Sequence, residues 1–188
     1  VGTCSCKYSS WEGLVYDVQS GEDMLSQYAK RYRTVEVDQW FWSLGRQSYG
    51  LPDPAVVLAY DQATDEEFRF TIKYPNVLTL PFAYGSTQEA NPWFLDAEVF
   101  YRFMERLGPL VRKTGLFMFQ FAYLNRSVVT KRYDFEQKLQ HFIRMLPDNL
   151  AYAVEIRNPQ WLDATWFDFL QLNNIAPVLV SGYWMDGL

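Results

Sequence analysis

Runs of apolar or alternating residues begin near positions 1, 34, 68, 115, 151 and 176, and each of the first five is followed by a stretch of helical periodicity. A β-α succession of this kind limits the fold more than any other feature, because connections long enough to hold a helix join parallel neighbours. The expected strands are 1–5, 34–38, 68–74, 116–121, 152–157 and 176–181. Between them, Met24, Leu25, Tyr28, Ala29 and Tyr32 make an apolar stripe over 22–33, and Pro54 suits the first turn of a helix over 54–62. Residues 93–113 are expected to be helical with a break at Gly108-Pro109, 133–146 forms a helix with Phe135, Leu139, Phe142, Ile143 and Leu146 inward, and 163–172 forms the last.

Strand parity separates the two architectures that fit. Val35 and Val37 alternate with Thr34, Glu36 and Asp38, while Phe68, Phe70, Ile72 and Tyr74 alternate with Arg69, Thr71 and Lys73. A doubly wound sheet is covered by helices on both faces and needs both sets apolar, whereas a closed barrel carries polar groups into its interior near the mouth. The fold class is therefore α/β, a TIM-type β/α barrel of parallel strands.

Residues 1–188 read as one domain, since the length supports a sizeable core and no stretch resembles a linker. An aromatic share of 18% fits a heavy core or an aromatic-lined cleft. A net charge of -5 argues against extended nucleic-acid binding. No apolar run reaches the roughly 20 residues that span a bilayer, so no membrane association is expected. The opening Val1-Gly2-Thr3 is neither a signal peptide nor an initiator Met, and is taken as trimmed. Cys4 and Cys6 are the only cysteines and stand too close for an ordinary structural disulfide, which points to a reducing, cytoplasmic setting. The polar connection over 75–92 is long enough to suspect a lid.

Taken in order, Gly2-Thr3 with Tyr8, Trp11 and Gly13, then Thr34-Val35-Glu36, Phe70 with Lys73, Phe119-Gln120, and Tyr152-Ala-Val-Glu-Ile-Arg-Asn-Pro-Gln-Trp161 resemble the motifs of the domain of unknown function 72 (YecE-like) family. Five ordered pieces cover essentially the whole chain. The resemblance implies a TIM-like barrel found in cytosolic proteins, without an established activity. The chain departs from the family pattern at Cys6, where a Trp is usual, so an aromatic wall at the first loop is in question. A barrel also needs eight strands, and six would leave two open edges, so C-terminal strands are expected to be missing.

In such barrels the chemistry sits at the C-terminal ends of the strands. Those ends carry Glu36 and Asp38, Lys73, Gln120, Glu155 and Arg157, and Ser181. Glu155 and Arg157 share one face of their strand because side chains alternate. Glu36, Lys73 and Glu155 are the candidate catalytic groups, a carboxylate serving as general base where burial raises its pKa. Gln120, Arg157, Trp161 and Trp11 are candidate ligand-binding residues, the guanidinium for negative groups and the indoles for stacking. Against this stands the account in which the four charges neutralise one another. Asp38 reads as a loop cap, and Arg126, Lys131 and Arg132 as a solvated loop or a phosphate contact.

Glu36 and Glu155 offer oxygen ligands for Mg or Mn, the weaker reading, and because His141 is the single histidine and falls on a helix no histidine-based zinc or iron site is expected; no metal ligand and no cofactor are assigned. Cys4 and Cys6 are read as small core residues. There is no glycine-rich phosphate loop, and no serine has a usable histidine partner. Trp11, Tyr16, Trp40, Phe41, Trp42, Trp161 and Tyr183-Trp184 fall mostly in loops after strands, where they line a pocket or plug the barrel top. The partner expected is a small polar or anionic molecule such as a sugar or sugar phosphate. Whether the chain transforms it by acid-base chemistry, or binds a ligand or protein without catalysis, stays open, as does the oligomeric state.

Overall fold

The computed structural model describes residues 1–83, 85–86, 89–126, 129–182 and 185. Five strands form one parallel sheet in the order β1 (Thr34–Val37), β2 (Arg69–Lys73), β3 (Thr114–Phe121), β4 (Tyr152–Ile156) and β5 (Ile175–Val178). Five helices alternate with them: α1 (Met24–Ala29), α2 (Pro54–Gln62), α3 (Ala97–Leu107), α4 (Arg132–Ile143) and α5 (Ala164–Leu172). The sheet is compatible with a TIM-like barrel, but among the described residues it is not closed: β1 and β5 are its two edges. The expected strand over 1–5 is reduced to one parallel bridge, Thr3 to Val35, with the Glu36 N–H donating to the Thr3 carbonyl at 2.9 Å. Gly2 permits that approach, since a Cβ there would lie 2.3 Å from the Thr34 carbonyl oxygen.

The apolar parity set makes the core. Val35, Val37, Phe70, Ile72, Phe117, Phe119, Phe121, Tyr152, Val154 and Ile156 are all buried. Tyr74, just past β2, is fully buried and stacks on Phe119 at 4.6 Å, with Phe100 and Phe103 of α3 at 5.0 Å each. Each such ring removes a large apolar surface from water, which is what holds the helices on this side of the sheet.

Side-chain caps set the helix starts. Asp23 accepts from the Leu25 and Ser26 N–H groups, Asp53 from Ala55, Asp96 from Val99 and Asp163 from Trp166. These caps shorten two expected helices. The first begins at Met24 because Asp23 caps it, and residues 93–96 stay outside α3 because Asp96 caps it; the first also ends at Ala29 rather than reaching Arg33. Gly108, at φ 44°, ends α3, and Gly108–Lys113 continues as a 3-10 turn, which accounts for the expected break. Lys113 then turns inward. It is 2% exposed, and its ammonium donates to the Asp61 and Thr64 carbonyls at 2.7 Å each, capping the C-terminal end of α2.

The described part of 75–92 does not behave as a detached polar lid at its start. Val77, Leu78 and Thr79 are fully buried there. Asn76 Oδ1 accepts from the Ser43 and Leu44 N–H groups at 3.0 and 2.8 Å, and Asn91 Nδ2 donates to the Val77 and Leu80 carbonyls at 2.6 and 2.7 Å. Two buried amides thus replace the ladder partners that irregular backbone lacks.

Candidate functional site

The second parity set occupies the opposite face. Glu36, Thr71, Lys73, Leu116 and Gln120 are half-buried there, with Met118, Ala153 and Glu155 buried. Strand register places Gln120 directly beside Glu155 and Lys73 beside Met118. Because all five strands run parallel, Glu36, Lys73, Gln120 and Glu155 all lie at or next to the C-terminal ends of their strands.

Two ion pairs stand on this face. Lys73 Nζ lies 2.9 Å from Glu36 Oε1 and 5.6 Å from the centre of the Phe41 ring, so the ammonium is held by a carboxylate and an aromatic face together. Arg157 Nε donates to Glu155 Oε1 at 2.8 Å. Glu155 is 5% exposed, whereas 44% of the Arg157 side chain is open to solvent. Gln120 makes no side-chain hydrogen bond with the described residues, which leaves its amide free beside the second pair. Three strand spacings separate Glu36 from Glu155, about 14 Å along a flat sheet. Each carboxylate is thus paired within its own unit.

A cavity of about 530 Å³ opens past the ends of β3, β4 and β5, with Arg157 at its edge. Tyr123, Pro159, Gln160, Val180 and Met185 contribute to its walls. A smaller one of about 150 Å³ lies past β1, lined in part by Cys6, Lys7, Glu36, Asp38, Gln39 and Tyr60. There Lys7 Nζ and the Tyr60 hydroxyl both donate to Gln39 Oε1, at 2.9 and 2.7 Å.

The structure does not gather every candidate. Trp161, in the 3-10 turn Pro159–Trp161, is 8% exposed and packs on Phe135 at 5.6 Å and Trp166 at 6.5 Å. Its ring belongs to the helix-side core and does not roof the polar face. Trp11 is half-buried, 4.7 Å from Tyr8 and stacked at 6.2 Å on Tyr16 and 6.5 Å on Tyr28. Tyr16, Trp40 and Phe41 are buried, while Trp42 is exposed and meets Phe41 edge-on. Tyr183 and Trp184 lie outside the described residues. Asp38 and Ser181 are exposed, as are Arg126, Lys131 and His141. Arg132 is no solvated loop residue: it opens α4, pairs with Glu136 at 2.6 Å and Asp163 at 2.8 Å, and lies 5.8 Å from the Trp166 ring centre.

Cys6 is buried as expected of a small core residue, and burial pushes its thiol pKa up. Cys4 is not: it is exposed, with its sulfur 3.3 Å from the Tyr8 hydroxyl. The Tyr8 phenol is pushed up to about 12, first by that hydrogen bond, then by burial and by negative charge on Cys4, Asp38 and Glu36. Tyr8 therefore stays a hydroxyl donor close to Glu36, a group that the strand-end pattern did not single out because it stands on a loop. Tyr123 and Met185 were missed for the same reason, whereas Val180 fell inside the expected strand 176–181, which ends at Val178.

Among the described residues no group of three or more His, Cys, Asp or Glu side chains is placed to hold a metal ion, and no helix is long and apolar enough to cross a membrane.

Comparison with known proteins agrees with this architecture. The UPF0759 protein YecE of Escherichia coli K12 is 27% identical over 146 residues, which is 77% of this chain and 45% of that protein, and its counterpart in strain O157:H7 matches equally. The chain thus spans less than half the length of these relatives. The crystal structure of a DUF72 family protein from Enterococcus faecalis V583 superposes with a TM-score of 0.62 at 22% identity, covering 96% of this chain and 61% of that one, a likeness of fold. The model of the family described as protein of unknown function DUF72 matches residues 1–185, and the chain belongs to that family.

Proposed function

We propose that the chain binds a small polar or anionic metabolite, with sugars and sugar phosphates the first to test, at the C-terminal mouth of a TIM-like β/α barrel. Glu36, Lys73 and Glu155 then carry acid-base chemistry, and Gln120 and Arg157 orient the ligand. The observation that carries this reading is the free Gln120 amide set beside the Glu155–Arg157 pair, whose carboxylate is buried and whose guanidinium is open to solvent, on the sheet face that also holds Lys73–Glu36. An ion pair of this kind adds little stability by itself, and the Gln120 amide keeps two donors and an acceptor available to a ligand beside it. The two free thiols fit a reducing, cytoplasmic setting, and the acidic balance fits a partner other than nucleic acid.

A non-catalytic ligand-binding or interaction module is the second reading. What favours it is that both carboxylates already have a cation at hydrogen-bond distance, so neither is a free base.

A thermal-shift panel on the whole protein tests both readings, using sugars, sugar phosphates, carboxylates and nucleotides, with and without divalent metal. A ligand at a hundred times its Kd adds about 2.7 kcal/mol, which moves the midpoint by several degrees. A hit that disappears in Glu155→Gln supports the site at the strand ends. A hit retained in Glu155→Gln with no turnover favours the module, and no hit on well-folded protein sinks the small-ligand proposal.

A further inference from the structure

Arg157 is anchored along one edge only. Its Nε is held by the buried Glu155 carboxylate, which fixes the plane of the guanidinium, and among the described residues neither Nη atom has a hydrogen-bond partner. The two free N–H₂ groups form the outer fork of the guanidinium, the geometry that meets a carboxylate through two parallel hydrogen bonds. Arg157 is among the residues lining the cavity of about 530 Å³ at the ends of β3 to β5, a volume in the range of small-molecule sites.

The cavity's remaining chemistry narrows the ligand. No other described lining residue is charged; Gln160 adds one amide, and Tyr123, Pro159, Val180 and Met185 present mainly apolar surface. A sugar would have only Arg157, Gln160 and the Tyr123 hydroxyl to partner its several hydroxyl groups, and each one left against the apolar walls would cost what its water bonds had avoided. An aryl or branched alkyl group would instead gain from leaving water. Charge argues in the same direction. Glu155 already balances Arg157, so a dianionic phosphate would bring two further negative charges to a single paired cation, and a carboxylate brings one.

We infer that this cavity takes a monocarboxylate with an apolar body, aryl or branched alkyl. The inference rests on the mouth reading for its location and replaces sugar phosphates by a narrower class.

Isothermal titration of the whole protein with phenylacetate, phenylacetamide, acetate and glucose phosphate tests it. Phenylacetate is expected to bind at least about tenfold more tightly than the neutral amide, which lacks the charge-assisted fork, and than acetate, which lacks the body. Arg157→Gln and Val180→Asp should each weaken phenylacetate binding by about tenfold or more. Both positions are partly exposed, and unchanged circular dichroism would show that the fold is intact in each. If Arg157→Gln fails to fold, Val180→Asp alone decides. Equal affinity for phenylacetate and phenylacetamide, or phenylacetate binding unaffected by both substitutions, overturns the inference. Binding of glucose phosphate but not phenylacetate also overturns it, while leaving the polar-ligand proposal standing. No binding by any of the four refutes the inference, and the wider panel then decides the proposal on its own.

Discussion

Replacing Lys113 with Met removes one charge and keeps the length of the side chain. The ammonium is 2% exposed and satisfies two carbonyls, Asp61 and Thr64, at the end of α2. Each carbonyl left without a donor in the interior costs about 1–3 kcal/mol, so the two together cost about 2–6 kcal/mol. Part of this is offset because a buried ammonium no longer has to be stripped of water, which leaves a net loss of about 3 kcal/mol. Asp61 is not stranded, since Arg112 Nη2 stays 3.1 Å from its carboxylate. For a chain of this length 1 kcal/mol corresponds to about 2–4 °C, so the midpoint should fall by about 6–12 °C. Urea melts give the free energy, and amide exchange should show the loss concentrated in the last turn of α2. Lys30→Met is the control, because the Lys30–Glu22 pair is exposed on both sides and should cost less than about 0.5 kcal/mol. A Lys113→Met protein within about 1 kcal/mol of wild type would refute the capping argument and show that desolvation cancels the hydrogen bonds.

Three further outcomes are expected. Trp161→Ala should lose about 3–5 kcal/mol in urea melts, because the ring is packed among Phe135 and Trp166; an unchanged midpoint would place the indole outside the core. Asn76→Ala should cost about 2–4 kcal/mol and raise amide exchange at Ser43 and Leu44, the two N–H groups that it satisfies; exchange unchanged at both would sink this account. Asp163 is held below the usual carboxylate range, first by its hydrogen bond from Arg132 and then by the Trp166 N–H. A folded pKa below the unfolded value of about 3.9 gives stability that is present above it and lost as pH falls through the folded pKa. Arg132→Gln should therefore raise the Asp163 pKa in an NMR titration and flatten the acid limb of stability below about pH 4; an unmoved titration would show that the cap bonds alone hold it low.

Parity was the legible part of this fold. In 34–38 and 68–74 one residue in two is charged or hydroxylic, and a strand has no way to bury both sets, so the sequence distinguishes a core face from a site face before any contact is known. Glu36 and Lys73 then meet because their strands pair, a neighbour relation that follows from sequence order. Trp161 was not legible in the same way. An indole two residues after Asn158-Pro159 is equally suited to a roof or a core, and the direction is set by a turn of three residues with no periodicity to read. The segment 75–92 looked like solvent-facing loop because it lacks a repeat, yet Asn76 and Asn91 supply the hydrogen bonds that let Val77, Leu78 and Thr79 sink into the core. Cys4 was misjudged because a segment with a single bridge has too little alternation to assign its faces. The Arg157 cavity joins three strand ends that are distant in the chain, and no local pattern announces such a junction.

The strand order is also the chain order, and this has a consequence for synthesis. Among the described strands, each pairs with the one made just before it, so every pairing is available as soon as its second strand has been synthesised. No strand waits for a later one to insert between it and its partner, which keeps sequence separations between paired strands short for a parallel sheet. The pair of Glu36 and Lys73 is complete once β2 has docked. Glu155 and Arg157 come together only with β4, and the cavity that Arg157 lines needs β5 in place as well.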